Sequence, residues 1–326
     1  MIKNSFFAMT AGWLLLLGQA SHSSVNGVPQ APPAASGVVV KPKAPNNLRV
    51  ILLGTGAGPL VKFQQFGAST LVEAGSIRLL FDCGRGATTR LTQVGVPIGS
   101  VSRLFLTHLH SDHVIQIPDL LLTGWAGGRR QIPLNVWGPE GTHDMMDHLQ
   151  QAFAFDIHIR RDVDEKLPAM GIKVFSHDIT QGVVFDEQGV KVTAFLVDHG
   201  PVKPAFGYRV DYGGYSVALS GDTRVSETLI EFAKGVDVLV HEVIDPEAVR
   251  ARSTNAEAII AHHTTPEQAG LVFARVKPRL AVYSHAANTE SIMKQTRKTY
   301  AGPLLGPEDM LTIEIGEKID VRHFRP

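Results

Sequence analysis

The stretch Thr107-His108-Leu109-His110-Ser111-Asp112-His113 constrains the fold more than any other part of the chain. It ends an apolar, β-prone run from Ser102 to Thr107 and precedes a helix-like run from Val114 to Leu122. His108, His110, Asp112 and His113 crowd four metal-capable side chains into six positions. Packing explains such crowding poorly, because buried imidazoles and carboxylates need partners. In an extended segment His108 and His110 project to the same side and can reach one ion. Where the chain bends toward the helix, Asp112 and His113 swing to a neighbouring position and can hold a second ion. Imidazole suits zinc, and the carboxylate also accepts manganese or iron. The set fits a hydrolytic centre better than a calcium cage.

A centre with two ions needs ligands from elsewhere, and the sequence offers them at the ends of apolar runs. His199 follows Val190 to Val197, Asp222 follows Val217-Ala218-Leu219-Ser220-Gly221, and His285 follows Leu280 to Ser284. Ligands so placed sit on a rigid sheet edge, where neighbouring hydrogen bonds can fix their orientation. Other expected strands are Leu48 to Leu53, Ser69 to Ala74, Ile77 to Asp82, Leu134 to Trp137, Phe206 to Tyr212, Ser216 to Leu219 and Val236 to Val240. Expected helices cover Ala87 to Val94, Gly141 to Phe155, Ser226 to Ala233 and Pro266 to Val276, the last opened by a proline suited to a first turn. Strands pair as hairpins in the first half and alternate with helices in the second, which predicts α/β layers with a mixed sheet. Gly54, Gly56 and Gly58 miss the spacing of a dinucleotide fingerprint by one position and read instead as a tight turn.

Hydrophobic residues at 44% against charged residues at 19% describe a chain that folds. With 31 basic and 31 acidic residues there is no global positive field to draw it onto nucleic acid or anionic lipid. Lys3, the apolar run Phe6 to Gly18 and Gly18-Gln19-Ala20 read as a signal peptide over residues 1–20, cleaved after Ala20. Its apolar run is shorter than the ~20 residues of a membrane span, so the expectation is a periplasmic or secreted protein with no stable membrane insertion. Residues 21–47, rich in Pro, Ser, Ala and Gly, read as a tether, leaving 48–326 as the hydrolase domain. The single cysteine, Cys83, has no disulfide partner within the chain.

The pattern H-x-H-x-D-H, then His199, Ser220-Gly221-Asp222-Thr223 and His285, resembles the metallo-β-lactamase superfamily from about Leu48 onward. It is similar in particular to the branch holding ribonuclease Z and the metallo-type arylsulfatases. The runs Leu53 to Gly58, Leu80-Phe81-Asp82-Cys83-Gly84, Val136 to Pro139, Phe206 to Arg209, His241-Glu242 and His263-Thr264-Thr265 carry that likeness. The resemblance implies a four-layer αββα sandwich and two divalent metal ions, expected to be Zn2+ with Mn2+ or Fe2+ as substitutes. It implies His108, His110 and His199 around one ion, Asp112, His113 and His285 around the other, and Asp222 between them. It also implies His263 as proton donor to the leaving oxygen, Glu242 orienting it, and Asp112 as ligand or base. By analogy with the branch, a homodimer is expected.

Two ions lower the pKa of water between them and clamp an oxygen that gains charge, so acidic esters suit the centre. Ribonuclease Z usually has glycine where Ser111 stands and carries a long Gly, Pro and basic-rich arm, absent here between His113 and His199. With the expected leader, this favours small sulfate or phosphate esters as substrate, arylsulfatase-like or phosphodiesterase-like, with nucleic acid unlikely as a partner. The alternatives are a ribonuclease Z-type endonuclease, a lactonase or β-lactamase, and a non-catalytic metal-binding module. Trp125, Phe153, Phe155 and Phe206 are candidates for an apolar substrate pocket, with core packing their ordinary role; His143, His148, His158 and His177 read as surface residues.

Overall fold

A strand with consecutive apolar side chains needs two buried faces, and β1 (Leu48–Gly54), apolar but for Arg49, has them. Val50 and Leu52 enter one core while Ile51 and Leu53 enter another, all four fully buried. The structure, a computed structural model, describes residues 48–286 and 289–324. The expected signal peptide over 1–20 and tether over 21–47 lie outside the described residues. No helix among the described residues is long and apolar enough to cross a membrane.

The first sheet continues through β2 (Ser69–Ala74), β3 (Ile77–Phe81), β4 (Arg103–Phe105), β5 (Leu134–Gly138) and β6 (Val174–Asp178). The chain then builds a second sheet from β7 (Gly182–Glu187), β8 (Val190–His199), β9 (Val202–Tyr212), β10 (Tyr215–Leu219), β11 (Val238–Glu242), β12 (Leu280–Ser284) and β13 (Leu304–Leu305). It returns to the first sheet as β14 (Leu311–Ile315) and β15 (Ile319–Arg322). Strand order is β15-β14-β1-β2-β3-β4-β5-β6 in one sheet and β13-β12-β11-β10-β9-β8-β7 in the other.

Between the sheets lies a core that includes Leu52, Val72, Phe81, Phe105, Tyr208, Val240 and Ile313. On the outer face of the first sheet pack α1 (Ala87–Gln93), α3 (Ile117–Ala126), which follows the short α2 (Ser111–Val114), and α4 (Thr142–Ala152), α5 (Ala154–His158) and α6 (Ala169–Ile172). The outer face of the second sheet is covered by α7 (Glu227–Phe232), α10 (Pro266–Val276) and α11 (Thr289–Thr296). Two further helices, α8 (Pro246–Arg250) and α9 (Ala256–Ile260), precede α10 and close a small cluster around Ile244 and Val249. The result is the four-layer αββα sandwich, with the main core between the sheets and helices over the outer face of each.

Some elements differ from the sequence reading. The helix expected from Gly141 to Phe155 is two, breaking at Phe153, whose φ of −105° and ψ of 16° leave the helical region. The run from Val114 to Leu122 spans the end of α2 and most of α3, joined through Gln116. Strands β6, β7, β13, β14 and β15 had no counterpart in the expectation.

Candidate metal centre

In both sheets the parallel strands β3 and β4, and β10, β11 and β12, end at one edge, and β8 runs with β10 because each is antiparallel to β9. Chain segments leaving those ends therefore meet. The edge is tied across the sandwich where Phe206 N donates to Thr107 O at 2.9 Å and Tyr208 Oη to Leu106 O at 2.7 Å.

Three of the imidazoles, His108, His113 and His199, are oriented by the group on the far nitrogen. Asp82, at the end of β3 with a left-handed φ of 57°, accepts from Thr107 N and Oγ1 at 2.9 Å and from His113 Nδ1 at 2.7 Å. His113 Nε2 is thereby aimed into the pocket. His108 Nδ1 meets Thr107 Oγ1 at 3.0 Å, and His199 Nδ1 donates to the His262 carbonyl at 3.1 Å, leaving their Nε2 atoms for the same pocket. This is how histidine ligands are held in metal sites, with the outer nitrogen fixing tautomer and ring direction. Asp112 is placed by backbone packing: a Cβ on Gly84 would lie 2.5 Å from Asp112 O, so glycine alone lets that loop approach.

The inner atoms converge. His199 Nε2 is 3.4 Å from His110 Nδ1, and His108 groups with both. Asp222 Oδ2 lies 3.4 Å from His285 Nε2, 3.5 Å from His113 Nε2 and 4.0 Å from His108 Nε2. Asp112 Oδ2 lies 3.2 Å from His285 Nε2 and 3.6 Å from His113 Nε2. Two ligand groups thus share Asp222 between them. His108 Nε2, His113 Nε2 and Asp222 Oδ1 are buried without a hydrogen-bond partner. Orphaned polar atoms of this kind are costly unless something occupies the space they face.

Electrostatics point the same way. Burial, then the neighbouring His113, pushes the His108 pKa well down, and burial lowers that of His199, so both stay neutral and able to ligate. Burial opposes charge on Asp112 and Asp222, yet the surrounding imidazoles outweigh it and keep both pKa values low. For His113 burial is overcome by Asp222 and Asp82, which raise its pKa. A buried pocket with ionised Asp112 and Asp222 needs cationic partners, and oxygen and nitrogen donors in this mixture fit divalent transition metals.

Beside this cluster, Glu242 at the end of β11 accepts through Oε1 from His263 Nδ1 at 3.0 Å, Thr223 N at 3.1 Å and Thr264 N at 3.2 Å. Burial would lower the His263 pKa, but Glu242, by charge and hydrogen bond, and then Asp222 hold it up at about 9. Of the two adjacent histidines, His263 meets Glu242, whereas His262 offers its carbonyl to His199.

The structure therefore brings together all nine residues singled out in the sequence, His108, His110, Asp112, His113, His199, Asp222, Glu242, His263 and His285, in overlapping groups. It does not bring the four aromatic candidates there. Trp125 and Phe206 are core residues, Phe153 packs half-buried beneath the first helical layer, and Phe155 is 81% exposed on α5. His143, His148, His158 and His177 lie exposed on α4, α5 and β6. Sequence reasoning gave no role to Asp82 or Thr107. The signal was present, since Asp82 ends an apolar run as Asp222 does.

A family model described as Beta-lactamase superfamily domain matches residues 77–286. The ribonuclease Z of Mycobacterium sp. (strain KMS) is 38% identical over 240 residues, covering 73% of this chain and 84% of that protein. The ribonuclease Z of Mycobacterium avium (strain 104) is 36% identical over 279 residues, covering 82% and 98%. Among solved structures, human tRNase Z, short form, superposes with a TM-score of 0.64 at 22% identity, over 82% of this chain and 99% of that one. These relatives overturn the expectation of a hydrolase of small sulfate or phosphate esters, arylsulfatase-like in its preference, with nucleic acid an unlikely partner. That expectation leaned on a missing basic arm and the expected leader, with a zero net charge behind it. An arm affects how a large substrate is gripped, not which bond the centre attacks, and net charge averages away local cations. The chain is a metal-dependent hydrolase that belongs to the metallo-β-lactamase superfamily, in its ribonuclease Z branch.

Proposed function

We propose that the chain is a ribonuclease Z-type endonuclease that hydrolyses phosphodiester bonds in RNA. The observation that carries this reading is the Glu242–His263 pair standing next to a metal pocket with orphaned donors, in a chain whose relatives are named ribonuclease Z. His108, His110 and His199 would hold one divalent ion, Asp112, His113 and His285 a second, and Asp222 would serve both. Zinc is the ion expected. Two such ions supply an activated water and positive charge against the phosphoryl oxygens.

The remaining chemistry belongs to the chain. Cleavage of a phosphodiester expels an alkoxide-like oxygen that needs a proton. His263 is 12% exposed, is held protonated by Glu242, and has its Nε2 free, so it supplies that proton as general acid. Glu242 keeps the ring in register through three donors on one oxygen. Asp112, with 10% of its side chain exposed against 3% for Asp222, would be a ligand and would orient the attacking water.

The test is cleavage of a labelled, 3′-extended structured RNA by zinc-loaded protein, with and without chelator. Chelator-sensitive cleavage whose products lack a 2′,3′-cyclic phosphate is expected, because water and not the ribose hydroxyl attacks. Absence of cleavage, or cyclic-phosphate ends, overturns the reading.

A further inference from the structure

Asp112 differs from the histidines beside it. Its carboxylate partners among the described residues, His285 at 3.2 Å and His113 at 3.6 Å, both belong to the metal cluster, so no group outside the pocket turns it. Its reach is therefore set by where the backbone of α2 stands. Helix α2 has four residues, too few to hold itself in place. It leans instead on the loop that leaves β3, where Cys83 N donates to His113 O at 2.7 Å and Gly84 lets Asp112 O come close. Just beyond that contact two side chains fasten the segment. Gln116, between α2 and α3, donates through its backbone N to Cys83 O at 3.0 Å and accepts through Oε1 from Gly86 N at 2.9 Å. Its Nε2 donates to Asp119 Oδ2 at 2.9 Å, and the same carboxylate oxygen accepts from Thr88 Oγ1 on α1. Gln116 and Asp119 thus grip Gly86 and the buried Thr88, which follow directly on Asp82, the residue that orients His113.

The character of Asp119 fits such a task. Burial would raise its pKa, yet hydrogen bonds from Thr123, Thr88 and Gln116 hold it below the usual carboxylate range. No cationic side chain pairs with it among the described residues, so its bonds to neutral donors are directional and define a geometry. It stands in the first turn of α3, where the helix favours negative charge. Resting on the two-ion assignment under the ribonuclease reading, we infer that Gln116 and Asp119 are positioning residues for one ion of the pair. By clamping the α2–α3 segment to Gly86 and Thr88 they set the place of Asp112, and with it the ion affinity of the Asp112, His113 and His285 position. Neither touches an ion or the substrate. The other position, whose His108 and His199 are held by Thr107 and the His262 carbonyl, does not depend on the clamp.

The experiment titrates the full chain with zinc against a chromophoric chelator, resolving the two equivalents, with near-ultraviolet circular dichroism as the check on folding. Gln116→Ala and Asp119→Ala are each expected to weaken one equivalent on the order of 10-fold and to leave the other at the parent's value. Asp119→Asn keeps the shape and one acceptor oxygen, and should recover most of that loss. Thr123→Ala is the control for a merely structural role. It removes the bond to Asp119 Oδ1 but touches nothing in the loop after β3, so both equivalents should bind as in the parent whatever its thermal midpoint. In an Asp112→Ala background, adding Gln116→Ala should weaken zinc no further, because the carboxylate being placed is gone; in a His110→Ala background the loss should persist. Parental affinity for both equivalents in folded Gln116→Ala and Asp119→Ala overturns the inference. So does an equal loss in Thr123→Ala, which would show a general loosening of α3. A parent that binds fewer than two zinc ions overturns the two-ion assignment and the clamp with it. No RNA enters these titrations, so the cleavage assay judges the ribonuclease reading separately.

Discussion

Asp82 touches no ion in the proposed scheme, yet it decides which nitrogen of His113 faces the pocket. In Asp82→Asn the amide has to present either its NH2 or its single oxygen to three donors, Thr107 N, Thr107 Oγ1 and His113 Nδ1. Where the NH2 faces His113, the imidazole proton moves to Nε2 and the ring can no longer ligate. Zinc affinity at one of the two positions is therefore expected to fall roughly 10- to 100-fold, read by competition with a chromophoric chelator. Unchanged affinity in a folded variant would leave Asp82 a mere packing residue. His263→Ala separates acid from ligand, since His263 also groups with His199 and Asp222. As the acid, its loss lowers kcat about 10²- to 10⁴-fold while zinc content per chain stays that of the parent. A fall in zinc content would instead make His263 a ligand. The metal-capable residues were legible because their types are rare at strand ends; the roles of Glu242 and His263 came only through family resemblance. Asp82 was overlooked because its function lies in a contact with a residue 31 positions away.

The connection between β1 and β2 is an element with its own anchor. Asp309, just before β14, accepts from Thr55 N and Oγ1 at 2.9 Å, from Phe66 N at 2.8 Å and from Arg90 Nη2 at 2.9 Å. It therefore pins both ends of that loop beside the metal edge. Its pair with Arg90 is nearly buried, with side-chain exposures of 6% and 10%. Asp309→Ala leaves that guanidinium without its anion, though still bonded to Gln93, and two backbone amides unpaired, and is expected to cost about 3–5 kcal/mol in urea unfolding. In a double-mutant cycle Arg90→Ala should add much less on top, because the charge left stranded is already gone. Strict additivity would show that the two side chains are not coupled. Gly84→Ala acts on the neighbouring loop: its Cβ would meet Asp112 O at 2.5 Å and Ala68 O at 2.7 Å, so a loss of about 1–3 kcal/mol with weakened metal uptake is expected. Elements with two buried faces, β1, β2, β11 and β12, stand out in sequence because each holds consecutive apolar residues, such as Val50 to Leu53 and Val238 to Val240. Strands β6 and β7 did not, because each is a sheet edge with a largely exposed, mixed face. Strand β14 alternates Leu311, Ile313 and Ile315 with Thr312 and Glu314, a period-two signal that a search for continuous apolar runs passes over.

For the molecule as a whole, the metal edge is where the two sheets are joined by charge. Asp82, His108, Asp112 and His113 come from the first sheet's strand ends, and His199, Asp222 and His285 from the second's. Without cations, ionised Asp112 and Asp222 face each other across shared imidazoles, and buried atoms such as Asp222 Oδ1 have no partner. Because the unfolded chain offers no preformed site, ions that bind only the folded form stabilise it by mass action, about 4 kcal/mol when free ion stands at 1,000 times Kd. For a domain of this size that corresponds to a rise in Tm on the order of 10 °C. Thermal unfolding should therefore shift down on chelation and return on adding zinc, whereas Asp222→Ala should show little of the metal-dependent part because it removes the group that both ion positions share. The apo form of Asp222→Ala should melt no lower than the apo parent, since the substitution also removes a buried carboxylate that lacks its cation. A parent whose Tm ignores chelation would mean that the two halves of the sandwich are held at this edge by packing alone.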